Sequence, residues 1–87
     1  MKPSKILRKA AALVASGHAS VCCYAIDLAL GECESELYWD CHDAFRSLLT
    51  PATVAHLTWW PDKTPESQLQ RYAALLLCAE ILESEGK

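Results

Sequence analysis

The stretch Leu69–Leu82, LQRYAALLLCAEIL, constrains this chain more than any other. Eleven of its fourteen residues are apolar. At 100° per residue, Leu69, Tyr72, Leu75, Leu76, Ala79 and Leu82 mark one helical face, and Ala74, Leu77, Cys78 and Ile81 mark a second. A helix that is apolar on two sides is a central element, packed on both. Where one subunit cannot cover both, a second copy must, so Ala74, Leu77, Cys78 and Ile81 form the candidate self-association surface.

The remaining punctuation is helical. Ser4 is read as the N-cap of a first helix that runs to Ser16 and stops at Gly17. It places Ile6, Leu7, Ala10, Leu13 and Val14 on one side and Lys5, Arg8 and Lys9 on the other. A second helix is expected from His18 to Leu30, ending at Gly31, and a third from Ser35 to Leu49. Thr50-Pro51 and Thr64-Pro65 are both helix-start pairs, a capping hydroxyl followed by a proline that needs no hydrogen-bond partner. They launch a short fourth helix over 51–58 and a fifth from Pro65 to Ser84. With short links between them, the helices imply an all-α fold: a small bundle of four to five helices, one domain over residues 1–87, the C-terminal helix at its centre.

Charge is unevenly distributed along the 87 residues. Residues 1–26 carry four bases and no acid, residues 27–43 six acids and no base, and the whole chain is −3. That balance argues against nucleic-acid binding. No apolar run approaches the ~18 residues of a membrane span, and AAALVA, the run after the basic start, is shorter than the ~7–15 residues of a signal-peptide core. A cytoplasmic location is expected. The five cysteines are an odd number, and Cys22, Cys41 and Cys78 fall on apolar helical faces. They read as reduced thiols packed as small hydrophobes.

Little in the spacing carries catalysis. Cys41-His42-Asp43 has the residue types of a nucleophile, base and orienter, but consecutive helical side chains diverge by about 100° and cannot line up. The acids Glu36, Asp40 and Asp43 sit on a solvated face, with nothing to raise a pKa. Three glycines make no phosphate loop. No enzymatic activity and no cofactor are expected. No zinc is expected either, because the Cys-x₂₋₄-Cys spacing is missing. The alternative is a zinc-stabilised structural or regulatory module that draws on His18, Cys22, Cys33 and Cys41, His18 and Cys22 being one turn apart.

What remains is an interaction surface. Trp39 departs from the apolar face of the third helix and projects between Asp43 and Arg46. An aromatic ringed by charges is the usual makeup of a binding hot spot. Trp39, Asp43 and Arg46, with Trp59 and Trp60, are the candidate partner-binding residues, and Trp59-Trp60 could instead cover Trp39.

Two segments, ILRKAAALVASGHASVCCYAI over residues 6–26 and WW followed by RYAALLLCAEILES within 59–84, resemble short, mostly uncharacterised proteins encoded by tailed phages and prophages. The resemblance covers about half the chain. It implies a cytoplasmic accessory protein that binds a host or phage protein stoichiometrically, components of antiviral defence included.

Overall fold

The computed structural model of the chain describes residues 2–31, 35–47 and 64–87. The expected short helix over 51–58, and Cys33, Trp59 and Trp60, lie outside the described residues. Four helices make up the described part: α1 (Pro3–Ala15), α2 (Cys22–Leu30), α3 (Ser35–Ser47) and α4 (Pro65–Ser84). No strand occurs among the described residues, and the fold is all-α, as expected.

One helix start follows its signal closely and two do not. Thr64 caps α4 by accepting a 3.2 Å hydrogen bond from the Ser67 N–H, and Pro65 follows it at the first position. At α1 the proline wins over the serine: Pro3 opens the helix, and Ser4 is buried inside it with its N–H directed to the Lys87 backbone oxygen at 3.4 Å. The second helix starts four residues later than expected. Gly17 takes a left-handed φ of 82°, and the His18 N–H reaches back 2.9 Å to the Leu13 carbonyl, which closes α1 in a Schellman-type turn. With residues 16–19 committed to that turn, Val21 stays extended and α2 begins at Cys22.

The most extensive packing is between α1 and the C-terminal helix α4; α1 also packs on α2 and α3, while α4 reaches α3 and, at Arg71, Cys22 of α2. The α1 stripe of Ile6, Leu7, Ala10, Ala11 and Val14 is fully enclosed. Facing it are Cys22, Ala25, Ile26, Ala29 and Leu30 of α2, Cys41 and Phe45 of α3, and Ala74, Leu75, Cys78, Ala79 and Leu82 of α4. Each buried Leu or Ile contributes about 1.5–3 kcal/mol. The many alanines let the helix axes approach closely. Outside this core, the Arg8 guanidinium grips the Glu83 carboxylate with two N–H groups, the Nε–Oε2 bond measuring 2.8 Å. The bond raises the Arg8 pKa and lowers that of Glu83.

The two expected stripes of α4 are not its two faces. The buried side runs Ser67, Arg71, Ala74, Leu75, Cys78, Ala79 and Leu82, so it takes half of each stripe. At 100° per residue, the pairs Ala74–Leu75 and Cys78–Ala79 straddle one line, and Arg71 lies on it. Ala74 and Cys78 are therefore enclosed by this one chain and offer no surface to a second copy, which corrects that part of the self-association set. Leu77 is 51% exposed, Leu69 67%, and Ile81 is partly covered. No helix among the described residues is long and apolar enough to cross a membrane.

Candidate functional site

On α3 the buried side is set by Cys41 and Phe45, with Leu37 and Ala44 packed partly against the core. Trp39 is two residues before Cys41, or about 200° round the helix, and so points away from the core. The residue is 57% exposed. Tyr38, itself at the surface, meets it edge-on with the ring centres 5.2 Å apart and the planes at 88°. Offset and edge-to-face pairs of this kind hold each other's rotamers by about 0.5–1.5 kcal/mol. Glu36, Asp40, Asp43 and Arg46 are exposed around the pair. Beside this face, a groove of about 690 Å³ is lined by Pro3, Asp40, Asp43, Ala44, Leu82 and Lys87, among others. Asp43 thus belongs both to the aromatic face and to the groove.

A second constellation lies where α2 meets α3. Cys23 and Asp27 are one turn apart on α2, and His42 reaches them from α3. The thiol, one carboxylate oxygen and a ring nitrogen all lie within 4.8 Å of one another. His42 Nε2 and Asp27 Oδ1 are 2.8 Å apart. An ionised carboxylate only accepts, so the imidazole N–H donates. The His42 side chain is 5% exposed and that of Asp27 44%, so the carboxylate spans from the buried ring to solvent. Tyr38 packs on the imidazole with ring centres 4.4 Å apart. Burial first, and then the Asp27 charge, push the Cys23 thiol pKa up, while Arg46 opposes them. A thiol held in its protonated form is a poor nucleophile.

The other residues singled out in the sequence are dispersed. His18 is exposed, its Nδ1 2.7 Å from the Ser16 hydroxyl. Cys22 is in the core, its thiol 4.0 Å from the Arg71 carbonyl oxygen, and burial pushes its pKa up to about 12. Cys41 is also buried. Among the described residues His18, Cys22 and Cys41 therefore do not gather into a ligand set, contrary to that grouping. The tripeptide Cys41-His42-Asp43 splits as its helical geometry requires: Cys41 and His42 are buried and Asp43 is exposed. Sequence reasoning passed over Cys23 and Asp27. Their four-residue spacing was the available signal, the same spacing that drew attention to His18 and Cys22.

The described residues define a small all-α protein with an aromatic, acid-flanked helix face and a mixed thiol–carboxylate–imidazole cluster behind it. Set against protein-family models, curated proteins and solved structures, the chain finds no match in any of the three.

Proposed function

We propose that this chain works stoichiometrically, by binding another protein through the outward face of α3. The observation that carries the reading is the exposure of Trp39, 57% free and aimed away from the core. Leaving an indole in water forgoes burial that the fold could have used. Flanking charge gives the partner a character: Glu36, Asp40 and Asp43 against Arg46 leave the face acidic, so it suits an apolar pocket with a basic rim. The resemblance to phage and prophage proteins makes a bacterial host factor, such as an antiviral defence component, the partner we favour, in the cytoplasm. Trp59 and Trp60 are proposed as further partner-binding residues.

A second copy of the chain is the partner we propose for α4. What supports it is the exposure of Leu69 and Leu77, with the half-buried Ile81 one turn on from Leu77; Ala74 and Cys78 take no part.

Affinity capture from a bacterial lysate, run in parallel with wild-type protein and Trp39→Ala, tests the main reading. A host protein retained at near-equal molar ratio by the wild type and lost with a folded Trp39→Ala supports it. Equal retention by both, or unfolding of the variant, contradicts it.

A further inference from the structure

We propose that Cys23, Asp27 and His42 form a binding site for a divalent metal ion of the zinc class, bridging α2 and α3. The donor types select the ion. One sulfur, one oxygen and one nitrogen suit borderline ions such as Zn²⁺ or Co²⁺, whereas Mg²⁺ and Ca²⁺ take oxygen shells and Cu(I) takes softer ones.

The geometry needs only a small contraction. Zinc bond lengths of ~2.0–2.3 Å put tetrahedral donors about 3.3–3.6 Å from one another. The three donors already lie within 4.8 Å, so side-chain adjustment of about 1 Å closes the set. The 2.8 Å contact between Asp27 and His42 would widen slightly as the metal takes the place of the shared proton. Cys23 and Asp27 are free to adjust because neither is fully enclosed, while His42 is held by its burial and by the Tyr38 ring. Binding releases the thiol proton to solvent, and the imidazole changes tautomer, its proton passing from Nε2 to Nδ1, so that Nε2 meets the metal unprotonated. The exposed side of Asp27 leaves the fourth position to water or to a group from a partner. Arg46 on the next turn of α3 disfavours a bare cation but favours the thiolate the metal needs.

The site has a structural consequence. Among the described residues, α3 packs less extensively on the other helices than they do on one another, and it carries Trp39. A metal shared with α2 would pin it.

Cobalt titration of the reduced, chelator-stripped protein tests the site. The expected result is one Co²⁺ per chain, with visible bands of tetrahedral cobalt and a near-ultraviolet thiolate-to-cobalt band that Zn²⁺ displaces. Cys23→Ser should abolish the thiolate band, His18→Ala, away from the cluster, should keep it, and Asp27→Asn, whose side chain is half in solvent, should weaken binding by at least about tenfold. Circular dichroism checks that each variant is folded. Absence of the band in the wild type at millimolar cobalt overturns the proposal. So does its persistence in Cys23→Ser, or unchanged affinity in Asp27→Asn.

Discussion

Asp27 and His42, fifteen residues apart, are joined across α2 and α3 by a 2.8 Å hydrogen bond from a buried imidazole to a half-exposed carboxylate. Removing the acceptor leaves the Nε2–H of an almost fully buried ring without its partner, and such a loss costs about 1–3 kcal/mol. Asp27→Ala should therefore lower stability by about 1 kcal/mol in urea titration, near the bottom of that range because water can reach the carboxylate position. Hydrogen exchange should speed up first in α3. Asp27→Asn, which keeps an oxygen acceptor, should lose less.

The division of α4 into a covered and a wet side predicts opposite fates for two leucines. Leu75 is fully buried, and Leu75→Ala should cost about 2–5 kcal/mol through lost burial and a residual cavity. Leu77 is half exposed, and Leu77→Ala should stay within about 0.5 kcal/mol for the isolated chain. Thermal unfolding of the two variants, measured at low protein concentration, makes the comparison. Similar losses would mean that the helix is rotated from the position described.

Cys78 supplies a pH dependence with a definite sign. Burial raises its thiol from the ordinary value near 9.0 to about 11. Below about pH 8 the thiol is essentially protonated in both folded and unfolded chains and contributes no slope. As pH rises from there through about 11, the unfolded thiol ionises first, so stability falls, by at most about 3 kcal/mol. The stability of Cys78→Ala should decline less steeply than that of the wild type over this window, and parallel curves would remove the effect.

How far the residues reveal this arrangement depends on whether the information is local. Thr64-Pro65 marks the start of α4 because cap and proline act on neighbouring backbone groups. Ser4 misleads because Pro3 beside it is the stronger start signal. The α4 stripes are misdrawn because eleven apolar residues out of fourteen leave the helix rotation undetermined, and only the packing of Ala74, Cys78 and Ala79 against α1 and its neighbours selects it. The outward position of Trp39 follows from periodicity alone, being nearly opposite Cys41. The Cys23–Asp27–His42 cluster does not, since it depends on how α2 and α3 come together in space. Adjacent cysteine and histidine in Cys41-His42 draw the eye to a pair that helical geometry separates.

The central claim is that the α3 face meets a protein partner. A photo-crosslinking amino acid at Glu36, one turn from Trp39 and exposed, tests it inside a bacterial host, with Ala12 on the exposed side of α1 as the control position. The account predicts a single discrete adduct at Glu36 that is missing at Ala12 and disappears when Trp39→Ala is added. The same faint background at both positions, or an adduct indifferent to Trp39, would contradict it.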